Sequence, residues 1–233
     1  MPPERPRNDP AQYEDLAGEW WRPDGAFAAL HWLADVRARS VPAANGGRPL
    51  LLDVGCGGGL LAPHVRGYRH VGLDLSASAL TEARRHGVEP VRADALRLPV
   101  RDGCADVVVA GELLEHVADV DAVVGEIARV LRPGGVVVMD TINSTWWSRF
   151  SLVTVGERMP GGPPPRIHDP ALFVPPDRVR DLLDRHGIDA TMRGLRVSFR
   201  DYARFLLDRG RRVRMLPTRS LSAIYQVVGR KEP

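Results

Sequence analysis

The sequence predicts an α/β fold built around a mostly parallel, doubly wound sheet. Short apolar segments recur at regular spacing between residues 50 and 140, and helix-like or glycine-rich segments separate them. The first of them, Leu-Leu-Leu-Asp-Val, runs directly into a glycine-rich turn, as a buried parallel strand does before a ligand-binding loop. An aspartate stands near the end of each of the first three segments. Because strands that alternate with helices pair in parallel, we expect helices on both faces of the sheet.

The predicted strands are short and apolar. The first five are residues 50–54, 70–74, 88–93, 106–110 and 136–140. Two more follow at 188–197 and 223–228, which brings the predicted sheet to seven strands. The predicted helices lie at 60–65, 76–85, 120–131 and 175–186. Ser76 is a candidate N-cap of the second of these helices, and Gly187 follows the last in the position that favours glycine.

Outside the sheet, the chain divides into one tail and three inserted segments. Residues 1–11 are rich in proline and charge and are expected to be disordered, and residues 12–233 form a single domain. The spacing of apolar residues over 12–40 predicts a helical lid. Residues 143–170 form either a second lid or a contact with a membrane, because they are rich in aromatic residues, proline and arginine. Residues 198–218 form a basic insert near the C-terminus.

The composition excludes several classes of protein. A net charge of +3 over 233 residues is too small to indicate binding to nucleic acid, although 31 of the 32 basic residues are arginine. Two cysteines, Cys56 and Cys104, show no zinc or disulfide spacing, so we expect a reducing cytoplasm, with the inner face of the membrane as a further location. The sequence holds no apolar run of the roughly 18 residues that a membrane span needs.

The glycine-rich turn predicts a cofactor site. Gly55, Gly57 and Gly59 give the backbone the freedom for a tight turn and a close approach to a ligand, and Asp53 precedes them. We expect the following helix to direct its N–H groups at the ligand. Asp74 ends the second strand, 19 residues after Gly55, where a carboxylate accepts the hydroxyls of a ribose.

One further aspartate and the spacing of the glycines indicate which cofactor binds. Asp94 follows the third strand, where it accepts a hydrogen bond from the adenine amino group. A nicotinamide dinucleotide is the alternative for any such loop. The loop reads Asp-Val-Gly-Cys-Gly-Gly-Gly rather than Gly-x-Gly-x-x-Gly, which disfavours that alternative.

Three blocks resemble the motifs of the class I S-adenosylmethionine (SAM)-dependent methyltransferases. Residues 51–62 resemble the first motif of that superfamily, and Leu-Glu-His-Val at 114–117 and Leu-Arg-Pro-Gly-Gly at 131–135 resemble later ones. The resemblance implies a Rossmann-like fold and SAM as the cofactor. With Asp74 and Asp94 as anchors, the neighbouring Leu75 and Ala95 join the expected cofactor site.

A narrower resemblance covers residues 12–230. The blocks 13–21, 25–27, 30–31, 141–143, 168–169 and 173–176 are similar to the ubiquinone-biosynthesis O-methyltransferases. That family methylates catechol hydroxyls of polyprenylated quinone precursors, so the resemblance implies a phenolic or catechol acceptor. The SAM positions of the family fall here on Arg37, Gly55, Asp74 and Gly111. Glycine at 111 departs from the family's usual methionine.

The reactive side of the site is expected after the fourth strand. Glu112, Glu115 and His116 share one face if this stretch is helical, and two carboxylates with an imidazole bind a divalent cation. The resemblance supports Mg²⁺ at this pattern, because some quinone O-methyltransferases have a metal attributed to it. In the alternative, Glu115 and His116 only order the loop above the cofactor. His116 and His168 are the two candidate general bases, although His168 equally suits a cap of the next turn.

Aromatic residues are expected to shape the acceptor side. Four tryptophans lie in two segments, Trp20 with Trp21 and Trp146 with Trp147. We prefer a lid over an aromatic substrate to a membrane contact. Three functions stay open: an O-methyltransferase of phenols, a secondary-metabolite methyltransferase that acts on O, N or C, and a non-catalytic SAM-binding module recruited to membranes. The sequence itself does not separate the first two.

Overall fold

The computed structural model describes residues 5–233 and places an eight-stranded sheet at its centre. The strands are β1 (Leu50–Val54), β2 (Arg69–Asp74), β3 (Glu89–Arg92), β4 (Ala105–Gly111), β5 (Leu131–Ile142), β6 (Ile188–Val197), β7 (Met215–Thr218) and β8 (Ile224–Lys231). Their order is β3-β2-β1-β4-β5-β8-β6-β7. Strands β1 to β5 pair in parallel, β8 pairs antiparallel with β5 and β6, and β7 pairs antiparallel with β6. The predicted mostly parallel α/β sheet is confirmed, and β7 is an eighth strand that the sequence did not indicate.

Helices and short turns connect the strands. The helices are α1 (Ala11–Asp15), α2 (Ala28–Ala38), α3 (Ala77–Arg85), α4 (Val120–Val130), α5 (Trp146–Ser148), α6 (Pro176–Arg185) and α7 (Phe199–Leu207). A π-helix, Arg149–Val155, continues directly from α5. Helix α3 begins as predicted, because Ser76 Oγ accepts a hydrogen bond from the Ala79 N–H at 3.1 Å.

The prediction of a helix at residues 60–65 is wrong. Only a 3₁₀ turn, Ala62–His64, forms there. Gly59 has left-handed backbone with φ of 78°, and Pro63 has no N–H to donate to the Gly59 carbonyl. Proline also disfavours helical backbone at the residue before it. The chain therefore leaves the glycine-rich turn without an α-helix.

Side chains of alternate residues cover the two faces of the sheet. Leu52, Val108 and Met139 face a core that contains α4 and α6. The neighbouring Leu51 and Val107 face a second core on the other side, against residues 61–68 and the end of α2. This period of two is what a parallel sheet with helices on both faces requires.

The basic insert at residues 198–218 forms α7 and β7. Phe205 of α7 and Met215 of β7 are buried against Trp32 of α2. Arg214 donates to both carboxylate oxygens of Asp201, at 2.6 and 3.2 Å. The insert therefore extends the sheet and holds α2 in place.

Part of the tail expected to be disordered is packed. The Asn8 N–H donates to the Arg166 carbonyl at 3.0 Å, and Arg7 forms an ion pair with Glu157 at 2.7 Å. Residues 5–11 therefore lie on the segment 143–170, and residues 1–4 of the expected tail lie outside the described residues. No helix within residues 5–233 is long and apolar enough to cross a membrane.

Candidate active site

A cavity of about 760 Å³ lies at the carboxyl ends of β1, β2 and β4. Its inner end is formed by the glycine-rich turn and the residues that follow the three strands. Its outer end is apolar and is bounded by Trp147, Leu152 and Phe199. Ligands of open α/β sheets bind at this edge, because the strand order reverses there and opens a crevice.

The glycine-rich turn has the backbone that its sequence predicts. Gly55, Gly57 and Gly59 have φ of 72°, 51° and 78°, in the region that favours glycine. The Trp20 ring lies directly on the turn, so that a Cβ on Gly57 or Gly58 would overlap it. Trp20 Nε1 is buried and has no hydrogen-bond partner within residues 5–233. The expectation that a helix N-terminus faces the ligand here is wrong, because no α-helix follows the turn.

Asp74 is held by the backbone around it. Its Oδ2 accepts from the Gly57 N–H at 2.8 Å and its Oδ1 accepts from the Ser76 N–H at 2.9 Å. Burial raises the pKa of Asp74, and these backbone hydrogen bonds oppose that rise. Each carboxylate oxygen keeps a lone pair for a further donor. The carboxylate is thus fixed at the inner end of the cavity, where a ribose hydroxyl can reach it.

The other expected cofactor positions meet in the same cavity. Leu75 lines the cavity and is 54% exposed, so its side chain is open to a ligand. Asp94 and Ala95 line the cavity beside it, and Asp94 Oδ1 accepts from the Leu96 N–H at 2.9 Å. Asp53 is buried, with its Oδ2 3.2 Å from His70 Nε2. The structure therefore brings these sequence-predicted residues together.

Arg37 lines the cavity and forms a buried ion pair with Asp140. Its Nε and Nη2 donate to the two carboxylate oxygens of Asp140 at 2.7 and 2.6 Å. Burial alone would lower the pKa of Arg37, but the Asp140 carboxylate outweighs it and raises that pKa. A Cβ on Gly111 would overlap the guanidinium group, so glycine at this position is what admits the pair. Sequence reasoning missed Asp140, although an acid near the end of a strand was the available signal.

Glu112, Glu115 and His116 do not share a helical face. Glu112 has left-handed backbone with φ of 51°, and only Leu114–His116 forms a 3₁₀ turn. The Glu112 N–H continues the strand pairing by donating to the Asp140 carbonyl at 2.8 Å, which is why no helix begins there. One potential ligand atom each of Glu115, His116 and His168 lies within 4.8 Å of the others. His168 therefore takes the position in this cluster that we expected for Glu112.

Two carboxyls, the half-buried Glu112 and the buried Glu115, lie close to these imidazoles. Burial raises the pKa of Glu112 well above its usual value, and the nearby Glu115 raises it further. Burial also raises the pKa of Glu115 to about 7. The Thr141 hydroxyl donates to Glu115 Oε2 at 2.7 Å, and this hydrogen bond opposes the rise. Two carboxylates in contact repel each other, whereas one shared proton lets one of them donate to the other. The pair therefore holds a proton that the same residues would lose in the unfolded chain.

Both candidate bases are neutral histidines. Burial lowers the pKa of His116 to about 3, and His168 contributes to that shift. Burial and then Arg7 lower the pKa of His168 to about 4. The two rings are stacked with centroids 5.2 Å apart. Asp169, rather than His168, caps the next turn by accepting from the Ala171 N–H at 3.0 Å.

His116 is held on both sides. Its Nδ1 lies 2.6 Å from Asn8 Oδ1, and its Nε2 lies 3.2 Å from the Tyr13 hydroxyl. Tyr13 and His116 both line the cavity. Burial, followed by the negative charge of Glu115, raises the pKa of Tyr13, so its hydroxyl keeps its proton. Sequence reasoning missed Asn8 because it lies in a tail without any periodic pattern.

Comparison with known proteins identifies similar methyltransferases. Residues 52–139 match the family model described as a methyltransferase domain. Ubiquinone biosynthesis O-methyltransferases from Idiomarina loihiensis and Caulobacter sp. strain K31 are 33% and 36% identical to the chain. The first alignment covers 79% of this chain and 81% of the relative, and the second covers 78% and 81%.

Solved structures share the fold at low sequence identity. A SAM-dependent methyltransferase from Thermotoga maritima has a TM-score of 0.66 at 17% identity, over 95% of this chain and 97% of that chain. Phosphoethanolamine N-methyltransferase 2 of Haemonchus contortus, solved with S-adenosylhomocysteine, has a TM-score of 0.59 at 17% identity, over 95% and 57%.

Fold and family together define the class of protein: the chain is a SAM-dependent methyltransferase with the class I fold. Within that class, it belongs to the family of the ubiquinone biosynthesis O-methyltransferases. The resemblance seen in the sequence is thereby confirmed.

The first prediction concerns glycine at position 111. Gly111→Ala should lower the free energy of unfolding by about 3 kcal/mol, because the new Cβ displaces the Arg37 guanidinium from the buried Asp140 carboxylate. Urea unfolding of both proteins measures the change. Gly125→Ala is the matched control, since a Cβ there meets only the His186 ring at 3.7 Å. Equal stability of the two variants would contradict the role of Gly111.

The second prediction concerns pH. The pKa of Glu115 is raised to about 7, so between pH 4.5 and 7 the folded chain keeps a proton that the unfolded chain loses, and stability falls as pH rises through this window. Glu112→Gln replaces the neighbouring carboxyl, whose pKa is also raised, with a neutral group. The difference in melting temperature between variant and parent should therefore grow in favour of the variant from pH 5 to pH 8. Scanning calorimetry with EDTA present measures it, and the exposed Asp184→Asn should track the parent throughout.

Proposed function

We propose that this methyltransferase transfers the methyl group of SAM to a hydroxyl of a phenol or catechol that carries an apolar chain. One observation carries the proposal: His116 lines the cavity together with Asp74 and the apolar Leu152, and burial lowers its pKa so that the ring is neutral. An imidazole in that place receives the proton of a hydroxyl as the oxygen attacks. The names of the relatives, which are O-methyltransferases of ubiquinone biosynthesis, support the same acceptor class.

The residues at the inner end fit SAM. When bound, SAM supplies a methyl group activated by a positively charged sulfonium. Asp74 would accept the ribose hydroxyls, and Leu75 with Asp94 and Ala95 would contact the adenine. The buried Trp20 N–H, which has no partner among the described residues, suits a carboxylate, and Gly55, Gly57 and Gly59, with Asp53, form the turn beside it. Arg37 and Gly111 would complete this end of the site.

The residues of the cluster do not fit Mg²⁺. Magnesium prefers six oxygen ligands, whereas Glu115, His116 and His168 offer two imidazole nitrogens and one carboxylate. Both nitrogens of His116 already lie within hydrogen-bond distance of Asn8 and Tyr13. Glu112 stands outside the cluster. The proposed reaction therefore uses no Mg²⁺, and His116 serves as the base, with His168 stacked against it to position the ring.

The segment 143–170 serves as a lid in this proposal. Trp147 and Leu152 line the cavity, and so do residues 161–164. Trp146, which is 73% exposed, faces outward and stacks on Phe150 with ring centroids 5.3 Å apart. The inward residues would cover the acceptor, and the outward pair leaves a contact with a membrane as an outcome to test.

A labelled-methyl assay tests the function. Purified protein is given SAM with tritium in the methyl group, and either catechol or catechol with one prenyl group. Each buried methylene contributes about 0.8 kcal/mol, so four such groups should raise kcat/KM for the prenylated acceptor roughly 200-fold. EDTA should leave both rates unchanged. If amines or carbon acids are methylated instead of any phenol, the acceptor class is wrong and a secondary-metabolite enzyme takes its place. If EDTA abolishes turnover, the metal-free reaction is wrong.

Two tryptophan variants separate the lid from a membrane contact. Trp147→Ala removes a ring that lines the cavity, and it should raise KM for the prenylated catechol about 10-fold without changing the Kd of SAM. Trp146→Ala removes the exposed neighbour and should leave both constants unchanged. Binding of both variants to anionic lipid vesicles is measured by sedimentation. If Trp146→Ala lowers vesicle binding while Trp147→Ala leaves KM unchanged, the segment is a membrane contact rather than a lid.

A further inference from the structure

The residues just before α1 form a strap across the cavity, here called the N-terminal strap (residues 5–9). Asn8 is its central residue and has left-handed backbone with φ of 59°. Its N–H donates to the Arg166 carbonyl at 3.0 Å, and its Nδ2 donates to the His116 carbonyl at 3.0 Å. Its Oδ1 lies 2.6 Å from His116 Nδ1. One side chain thus contacts both the backbone and the ring of His116.

These contacts decide which nitrogen of His116 carries the proton. The His116 carbonyl only accepts, so the group of Asn8 that faces it must be the NH₂ group. The opposite atom of the amide is therefore the carbonyl oxygen, which also only accepts. His116 Nδ1 must then carry a hydrogen and donate to it. Because burial lowers the pKa of His116 to about 3 and keeps the ring neutral, Nε2 is left with a free lone pair.

The lone pair of Nε2 points to Tyr13. The Tyr13 hydroxyl, 3.2 Å away, donates to it, since Tyr13 keeps its proton. The oxygen of Tyr13 retains lone pairs and lines the cavity. A hydroxyl that enters the cavity can therefore donate either to Nε2 directly or to the Tyr13 oxygen, which hands its own proton to Nε2.

We propose that Asn8 is a positioning residue that fixes His116 as the Nδ1–H tautomer, and that Tyr13 links the acceptor hydroxyl to Nε2. This proposal rests on the proposed function. In the step, the O–H bond of the acceptor breaks and its proton reaches Nε2. The acceptor oxygen forms the new O–CH₃ bond while the CH₃–S⁺ bond breaks, and the bonding pair stays on sulfur. The imidazolium later returns its proton to water.

The charge balance of the step suits a buried histidine of low basicity. A positive charge disappears from sulfur as one appears on His116, so the net charge of the enclosed site does not change. The ligand atom of the buried Glu115 lies within 4.8 Å of that of His116, so Glu115 in its ionised form attracts the imidazolium. The penalty that burial imposes on a charged ring in the empty cavity is therefore offset when the reactants are bound.

The test reads the tautomer directly. ¹⁵N NMR of protein with labelled histidine rings distinguishes protonated from unprotonated nitrogens, and His116→Gln assigns the signals of His116. The parent should show a protonated Nδ1 and an unprotonated Nε2. Asn8→Ala should lose this preference and lower kcat for the phenolic acceptor about 10- to 100-fold, with the Kd of SAM by calorimetry unchanged. Asn8→Asp still accepts from Nδ1–H, so it should keep the tautomer and recover part of kcat.

Gln12→Ala is the matched control. Gln12 lies on the same stretch of chain and its Nε2 donates to the Pro165 carbonyl at 3.3 Å, whereas the hydrogen bonds of the His116 ring go to Asn8 and Tyr13. It should leave the tautomer and kcat unchanged. An Nε2–H tautomer in the parent would overturn the proposal, and so would equal losses of kcat in Asn8→Ala and Gln12→Ala. If the parent methylates no phenol, the proposed function fails, while the NMR result still decides the tautomer.

Discussion

The ion pair between Arg37 and Asp140 joins helix α2 to strand β5 beside the cavity. Arg37 lies on α2 and Asp140 lies on β5, 103 residues later in the chain, and both side chains are buried. A buried pair with two parallel hydrogen bonds fixes the distance and the rotation between a helix and a sheet. Phe27, which precedes α2, stacks on Trp20 with ring centroids 4.1 Å apart. The position of Trp20 on the glycine-rich turn therefore depends on the same pair.

The features that could be predicted from the sequence are those with local causes. Apolar strands, the turn at Gly55–Gly59 and the Ser76 cap are encoded by neighbouring residues, and the structure contains them. The predictions are wrong where the backbone conformation depends on one proline or on pairing with a distant strand. Pro63 prevents the helix at 60–65, and the pairing of Glu112 with β5 prevents the helix at 112–116. The partner of Arg37 could not be found in this way, because nothing local to α2 indicates Asp140.

The candidate site shows the same division. Asp74 and Asp94 were found because strand ends meet at one edge of a parallel sheet. The roles of Asn8 and Tyr13 depend on the strap lying across the cavity, and a proline-rich segment has no periodicity that would indicate this. A single substitution, glycine for the family's methionine at 111, was visible in the sequence. Its consequence, room for a guanidinium group, required the three-dimensional arrangement.

Closure of the cavity and preparation of the base depend on the same contacts. Arg7 donates to the His168 carbonyl at 2.8 Å and to Glu157, and Asn8 donates to Arg166, so the strap binds the segment 143–170 at several points. The contact that sets the His116 tautomer is made by this strap and by no residue of the sheet. Loss of the contacts between the strap and the segment would therefore also free the His116 tautomer. An acceptor that is bound with the strap in place therefore meets a base that is already prepared, in a site where a stray charge is poorly solvated.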